Sequence, residues 1–294
     1  RKKIEAKRIL IEQQKIKDEE AKKLFPDANI LIGDGRFNYP SIMYLNNPYI
    51  SEIKNISESK NNIWILNYVN NRPYVNYVKS DNNKNVWDLE FSVKPGEIYL
   101  NQTELDHGLK IINQTIKLWK EHFLKSPKMI VLIEPNVKTE VYAKAVGGRA
   151  VGDVHLNRDW GFEKWQKIVD TLKDRIVFIQ PHLQGVKKLL NAIHIDCNFR
   201  GALSILKYCD LFVGTHSGYS HAAAALKKDA INIFGGWISP SIVGYKTHTN
   251  IYVDLPESPC GSKVICNHCK KCMQEIETDN IISILEKKII EYNK

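Results

Sequence analysis

The chain has 294 residues, of which 43% are hydrophobic and 26% are charged, so it can bury a sizeable core. It contains no apolar run of the roughly eighteen residues that a membrane-spanning helix needs. Lys and Arg total 42 against 33 Asp and Glu, a formal net charge of +9 that suits phosphates, anionic lipid or nucleic acid. A solvated basic surface explains the charge more simply, because no arginine-rich arm, zinc-finger helix or single-strand stacking motif accompanies it.

The first half of the chain predicts a charged leading segment and then an α/β domain. Residues 1–26 are expected to form a charged helix or linker that ends at Pro26. The break at Ser126-Pro127 separates an N-terminal domain over 27–126 from a C-terminal domain over 127–294. The elements predicted before this break are the strands Asn29–Ile32 and Ile63–Val69 and the amphipathic helix Leu105–Leu124.

The second half alternates short apolar strands with helices, which predicts a parallel, doubly wound sheet. Such sheets bind ligands at the carboxyl ends of their strands. The predicted strands are Met129–Ile133, Ile176–Gln180, Leu211–Gly214 and Ala230–Phe234. The predicted helices are Gly161–Lys173, Val186–Ala192, Gly201–Tyr208, Gly218–Leu226 and Asp279–Tyr292.

One strand end carries an unusual concentration of polar side chains. The strand Leu211–Gly214 runs through a short turn into the alanine-rich helix Gly218–Leu226. The unpaired backbone N–H groups and the partial positive charge at such a helix start suit a phosphate. An ordinary capped helix that carries two histidines is the alternative interpretation. The candidate anion-binding residues are Thr215, His216, Ser217, Gly218, Ser220 and His221.

Four cysteines crowd together near the end of the chain, within the loop 260–272. Close thiols in this spacing suit a tetrahedral zinc or iron site, with His268 as a spare ligand. An iron–sulfur cluster, two disulfides, or free thiols in a reducing compartment are the alternatives. The predicted metal ligands are Cys260, Cys266, Cys269 and Cys272.

The segment Phe212–His221 resembles the donor-site signature of the family 9 glycosyltransferases, the lipopolysaccharide heptosyltransferases and their relatives. That signature reads Val-Gly-x-Asp-(Ser/Thr)-Gly-x-Ser-His, followed by Ala-Ala-Ala-Leu, a strand and Phe-Gly. The chain has counterparts of the later parts in Ala223–Leu226 and Ile233–Gly235. It departs from the family at His216, which stands in place of the aspartate, so we expect the contacts to the donor to differ there.

Three further stretches extend the resemblance in the order that the family has them. Gly33–Pro40 resembles an N-terminal Gly-Asp loop, Asn157–Trp160 resembles a Lys-x-Trp segment, and Cys272–Ile276 resembles a Cys-Met-x-x-Ile segment. Together with the donor-site signature they span about four-fifths of the chain. The resemblance implies a GT-B architecture, in which two Rossmann-like doubly wound domains face a central cleft.

The resemblance also assigns roles to residues. It implies that Asp34 is the catalytic general base on the acceptor hydroxyl, although a Gly-Asp-Gly sequence alone favours a turn aspartate. It implies that Arg158 and the six strand-end residues bind the donor, and Arg36 is expected to contact an anionic donor or acceptor. No Asp-x-Asp motif is present, so the sequence does not imply a catalytic divalent cation.

The function that follows is inverting transfer of a sugar from a nucleotide-diphosphate sugar, with ADP-heptose as the default donor. The expected acceptor is a hydroxyl of a lipopolysaccharide core, another glycan or a protein side chain. The expected place is the cytoplasm, including the inner face of the membrane. Two alternatives stay open: a non-catalytic binding or assembly module that keeps the fold, and a nucleic-acid-modifying glycosyltransferase, which the positive charge permits.

Overall fold

The computed structural model describes residues 29–31, 46, 63–65, 77–80, 85–87, 93–137, 156–182, 186–262 and 264–293. The predicted helix over 1–26, the proposed base Asp34 and the proposed anion contact Arg36 lie outside the described residues. Among the helices that the structure does describe, none combines the length and the apolar character needed to cross a bilayer. The chain divides into two compact units, one made of residues 1–73 with 98–101 and the other of 74–97 with 102–294.

The first unit contains a parallel pair of strands, β1 (Asn29–Leu31) and β2 (Ile63–Ile65). Both strands were predicted, and the remainder of the longer second prediction lies outside the described residues. The second unit opens with an antiparallel pair, β3 (Tyr77–Ser80) and β4 (Asn85–Trp87), which the sequence analysis missed.

A six-stranded sheet forms the centre of the second unit. Every pairing in it is parallel, and the strand order is β10-β9-β8-β5-β6-β7. The predicted α/β class with a parallel sheet is therefore confirmed. The apolar runs of its strands suit a sheet that is covered on both faces. The strands are β5 (Met129–Glu134), β6 (Ile176–His182), β7 (Ile193–Asp196), β8 (Leu211–Thr215), β9 (Asp229–Ile233) and β10 (Thr249–Ile251).

Helices cover the sheet, and alternate strand residues face opposite sides of it. On one face, Val131 and Val213 pack in a single core with Trp165 and Leu285. The helices that carry Trp165 and Leu285 lie on that face. On the other face, helices that pack on one another contact the strands β6, β8 and β9. The helices are α1 (Gln102–Phe123), α2 (Phe162–Leu172), α3 (Phe199–Leu206), α4 (Gly218–Ala225), α5 (Pro240–Val243), α6 (Asn267–Gln274) and α7 (Thr278–Tyr292).

Helix α1 packs closely against α3 within the second unit. A Cβ atom at Gly108 would overlap the backbone carbonyl oxygen of Ser204, so the glycine allows the two helices to approach. Arg200 of α3 is buried and pairs with Glu104 of α1 through two nitrogen–oxygen contacts. The division at residue 126 stays a prediction, but the helix before it makes its contacts with the sheet-containing unit.

The helix predicted over Val186–Ala192 does not form. Its backbone instead bonds to amide side chains: Leu189 N donates to Gln180 Oε1 and Leu190 N donates to Gln166 Oε1, both at 2.8 Å. These bonds satisfy the backbone groups that a helix would have paired internally. A turn at residues 190 and 191 then leads into β7, which the sequence analysis missed together with β10, α5 and α6.

Candidate functional site

The polar strand end lies beside the central crevice of the sheet. Strand β5 has β6 and β7 on one side and β8, β9 and β10 on the other, so the strand order switches between β5 and β8. Glu134 and Gly214 are register partners at the carboxyl ends of these two strands. Ligands of doubly wound sheets bind at such switch points, which makes this edge the candidate site.

The turn after β8 ends at a well-defined helix start. Ser217 is the residue before the first turn of α4, and its extended backbone leads into the helix. The hydroxyl of Ser220 accepts a hydrogen bond from Ser217 N at 2.8 Å and donates one to Ser217 O at 2.7 Å. The Oγ atom of Ser217 is buried and has no hydrogen-bond partner in the described part of the chain. A buried hydroxyl without a partner costs free energy that a bound oxygen would recover.

Gly218 leaves space at this helix start. The residue is exposed, and a Cβ atom placed on it would approach only the Phe199 ring, at 3.5 Å. The chain itself would therefore accept a side chain here. The glycine instead keeps the first N–H groups of α4 open to a ligand, which is the arrangement expected for an anion-binding helix start.

Two histidines and a tyrosine form a chain of close polar contacts at the same edge. The Nε2 atoms of His216 and His221 lie 3.3 Å apart, and His221 Nδ1 lies 2.8 Å from the hydroxyl of Tyr245. The His216 ring stacks on Phe234, with centroids 5.3 Å apart. Each contact needs one donor and one acceptor, so the protonation of one ring fixes that of the other. The Nδ1 atom of His216 is buried and has no hydrogen-bond partner among the described residues.

Both rings are electrically neutral at pH 7. Burial lowers the pKa of His221 to about 4, and the nearby His248 adds to the effect. Burial also holds the pKa of His216 well below its usual value, with His221 and Arg158 adding to the effect. The pair therefore offers hydrogen bonds to a ligand rather than positive charge.

Arg158 supplies the positive charge. It ends a single 3₁₀ turn over residues 156–158, and its Nη1 donates to the backbone carbonyl of His216 at 3.1 Å. Its guanidinium also lies over the ring of Trp237, 5.5 Å from the centroid. Burial lowers the pKa of Arg158 to about 10, so the group stays cationic at neutral pH. The sequence analysis assigned Arg158 to the donor; that role stays a prediction, and the structure brings the side chain to the strand-end turn.

Glu134 is a candidate residue that the sequence analysis missed. It ends the central strand β5, and its Oε1 accepts a hydrogen bond from Asn136 N at 2.8 Å. Burial raises the pKa of this carboxyl to about 7, with the bonds from Asn136 opposing the rise. Titratable groups perturbed in this way concentrate at functional sites. The signal available in the sequence was a single acidic residue that directly follows a buried strand.

The cysteine loop lies next to this site. The Sγ atoms of Cys260, Cys266 and Cys269 and a ring nitrogen of His268 all lie within 4.8 Å of one another. Three thiol sulfurs and one imidazole nitrogen at this spacing fit a tetrahedral zinc or iron ion. The Sγ atoms of Cys260 and Cys269 lie 3.2 Å apart, and the hydrogen bond between them lowers the pKa of Cys260. The residues present therefore fit a structural metal, which would fix this loop.

Cys272 stands at the edge of the cluster rather than in the compact group. Its Sγ lies 3.7 Å from Nε2 of His268 and 3.6 Å from Oγ of Ser258. The geometry thus favours His268 as the fourth ligand, and the predicted set of four thiolates stays a prediction. The disulfide alternative does not appear, because these cysteines are free thiols in the structure.

The glycine pair after β9 lies between the cysteine loop and the strand-end turn. A Cβ atom on Gly235 would lie 2.7 Å from Sδ of Met273, and one on Gly236 would lie 2.6 Å from Sγ of Cys272. Both contacts are closer than a real side chain would allow, so helix α6 packs directly on this loop. The cysteine loop and the strand-end turn therefore border the same stretch of chain, the residues that follow β9.

The structure brings together most of the predicted site within one unit. The six strand-end residues follow one another through β8 and into α4, and Arg158 bonds to the middle of that segment. Their roles in donor binding remain predictions. The proposed base Asp34 and the proposed contact Arg36 lie outside the described residues.

The parallel sheet and the site at its switch point define a doubly wound α/β protein. In a comparison with protein families, the model of glycosyltransferase family 9 (heptosyltransferase) matches residues 157–270. This match contains Arg158, the strand-end turn and most of the cysteine loop. It confirms the resemblance that the motifs indicated.

Comparison with solved structures found similar proteins at low identity. The ADP-heptose LPS heptosyltransferase II of E. coli is 12% identical, with a TM-score of 0.44 over 69% of this chain and 56% of that protein. The family 9 glycosyltransferase of Veillonella parvula is 13% identical, with the same TM-score and coverage. The iron-containing dodecameric glycosyltransferase TibC of enterotoxigenic E. coli is 14% identical, with a TM-score of 0.40 over 58% of this chain and 46% of that protein.

The chain thus spans little more than half the length of the first two of these proteins, 56% in each case. No curated protein sequence matched the chain.

Proposed function

We propose that the protein is an inverting glycosyltransferase that moves a sugar from a nucleotide-diphosphate donor to a hydroxyl of a glycan or protein acceptor. The default donor is ADP-heptose, which the family match favours. The observation that carries the proposal is the position of one half-buried arginine beside an open helix start. Arg158 bonds to the carbonyl of His216, directly before the turn that opens α4.

The leaving diphosphate is the group that needs stabilisation in this reaction. As the bond between the anomeric carbon and the phosphate oxygen breaks, that oxygen takes the electron pair and becomes more negative. Arg158 supplies a full positive charge, and the first N–H groups of α4 supply a partial one. Nδ1 of His216 and the hydroxyl of Ser217 add neutral hydrogen-bonding groups. This arrangement stabilises negative charge without a bound divalent cation.

The acceptor hydroxyl needs a base on the opposite side of the sugar. We assign this role to Asp34, whose carboxylate would take the hydroxyl proton while the acceptor oxygen attacks the anomeric carbon. The assignment includes the wider GT-B layout, with residues 27–126 as the acceptor-side domain and 127–294 as the donor-side domain. The reaction would take place in the cytoplasm, including the inner face of the membrane, because sugar nucleotides are the donors there.

The test compares two variants for nucleotide binding and for sugar transfer. Asp34→Asn should lower transfer by about a hundredfold or more while the Kd for ADP stays the same, because the base acts on the acceptor. His221→Ala should weaken ADP binding, because this side chain lies at the donor site. ADP binding without transfer by the wild type on glycan and protein acceptors would instead identify a binding module. Binding to duplex nucleic acid that falls steeply with salt would favour the nucleic-acid alternative.

A further inference from the structure

Asn157 connects the cysteine loop to the strand-end site. Its side chain is completely buried, with 0% of its surface exposed. Its Nδ2 donates to the carbonyl of Val264 at 2.8 Å, and its Oδ1 accepts from the backbone N–H of Cys266 at 2.8 Å. A buried amide that is satisfied on both sides by one distant segment holds that segment in a fixed place.

The two ends of this connection have different chemistry. On one side, Cys266 contributes its Sγ to the candidate metal group and is the capping residue of α6. On the other side, the next residue in the chain is Arg158, which bonds to the backbone carbonyl of His216. Only one peptide unit therefore separates the residue that holds the cysteine loop from the cation of the proposed donor site.

A second pair of hydrogen bonds also connects the cysteine loop to the surroundings of Arg158. Cys260 N donates to the carbonyl of Gly236 at 2.9 Å, and Gly261 N donates to the carbonyl of Trp237 at 3.0 Å. The ring of Trp237 is the one beneath the guanidinium of Arg158. The cysteine loop therefore bonds both to Asn157, the residue before Arg158, and to the backbone of Trp237, whose ring lies under Arg158.

We infer that Asn157 is a positioning residue that couples metal binding at the cysteine cluster to nucleotide binding at Arg158. This inference rests on the proposed function, because it takes Arg158 as a contact of the donor diphosphate. A metal bound to Cys260, Cys266 and Cys269 neutralises thiolates that would otherwise repel one another, and it closes the loop. Without the metal, the loop gains freedom, and the two backbone groups that hold Asn157 no longer occupy fixed positions.

Coupling of this kind is reciprocal, which gives a test that needs no variant. If metal strengthens nucleotide binding by some factor, the nucleotide must strengthen metal binding by the same factor. We expect ADP and UDP, titrated by calorimetry, to bind the metal-loaded wild type about tenfold more tightly than the chelator-stripped protein. Reloading with Zn²⁺ should restore the affinity. Saturating nucleotide should slow the loss of metal to a chelator.

The variants locate the coupling. Asn157→Ala should retain one metal per chain but bind nucleotide about tenfold more weakly, and stripping the metal should then change the affinity little. Asn157→Asp keeps the acceptor for Cys266 and should show an intermediate effect. The control is Asn293→Ala, whose exposed side chain donates to two backbone carbonyls beside the start of β5, away from the carboxyl ends of the strands. It should leave both affinities unchanged.

The outcomes separate this inference from the function on which it rests. Equal nucleotide affinity of the loaded and stripped wild type would overturn the inference and leave the proposed function standing. Failure of both nucleotides to bind either form would overturn both. If Asn157→Ala proves unstable in a thermal melt, the reciprocal measurement on the wild type still tests whether metal binding and nucleotide binding are coupled.

Discussion

The Nε2 atoms of His216 and His221 lie 3.3 Å apart, at the point where the chain leaves β8 and enters α4. Both rings are neutral at pH 7, because burial lowers their pKa values. One ring must therefore donate to the other. The hydroxyl of Tyr245, 2.8 Å from His221 Nδ1, takes the role opposite to that nitrogen, so the three groups change donor and acceptor roles together.

Removing that hydroxyl should free the tautomers of the two histidines from this coupling. In Tyr245→Phe, we expect His216 and His221 to interconvert between tautomers, which ¹⁵N NMR of the imidazole nitrogens would detect. ADP affinity should fall about three- to tenfold, in line with about 1 kcal/mol for one hydrogen bond. The matched control is Tyr252→Phe, a half-buried tyrosine outside the chain of contacts between the two histidines. Unchanged imidazole spectra in Tyr245→Phe would contradict this account.

Glu134 should make stability depend on pH in an unusual direction. Burial raises its pKa to about 7 in the folded protein, above the ordinary value of 4.5. The folded state therefore holds a proton that the unfolded chain has already lost, and stability falls as pH rises from about 4.5 to about 7. Glu134→Gln removes this titration. The variant should become more stable than the wild type as pH rises through this window, by an upper limit of roughly 3 kcal/mol.

Urea unfolding at about pH 5 and about pH 8 measures that difference. Comparison with the wild type is needed because His216 and His221 act in the opposite direction. Their pKa values are lowered, so the stability that they contribute is lost as pH falls below the ordinary histidine value of 6.5. If the difference in unfolding free energy between the wild type and Glu134→Gln does not change with pH, Glu134 is ionised in the folded state.

The contact between α1 and α3 should be sensitive to a single methyl group. Gly108→Ala would push a Cβ atom into the carbonyl oxygen of Ser204, and the two helices would have to separate. We expect a loss of about 1–3 kcal/mol in the free energy of unfolding. Gly96→Ala is the control, because a Cβ atom there meets nothing within 4 Å. Equal stability of the two variants in urea unfolding would show that α1 can shift without cost.

The order of most elements in the second unit could be predicted from the sequence, because long apolar strands and amphipathic helices leave a strong pattern. The strands β5, β6, β8 and β9 and the helices α1, α2, α3, α4 and α7 are confirmed to within a few residues. The missed elements are short or lie at an edge. Strand β7 has the half-exposed sequence Ile193–Asp196, whose alternation is too brief to register.

The false helix over Val186–Ala192 failed for a different reason. Its apolar and basic residues have good helical propensity, but its backbone partners are Gln166 and Gln180, which lie on other elements. Local propensity cannot report such tertiary bonds. The same limit applies to the site: motif spacing indicated Arg158 and the histidines, whereas the roles of Asn157, Tyr245 and Glu134 depend on contacts between distant segments.

The position of β5 limits how the chain could be shortened. The segment that matches the family, residues 157–270, begins after β5 and ends before α7. Strand β5 lies between β6 and β8, and α7 buries Ile281 and Leu285 in the core on one face. A fragment cut to the matched segment would expose two unpaired strand edges and a bare apolar surface. Such edges recruit other chains, so this fragment would aggregate rather than fold as an independent module.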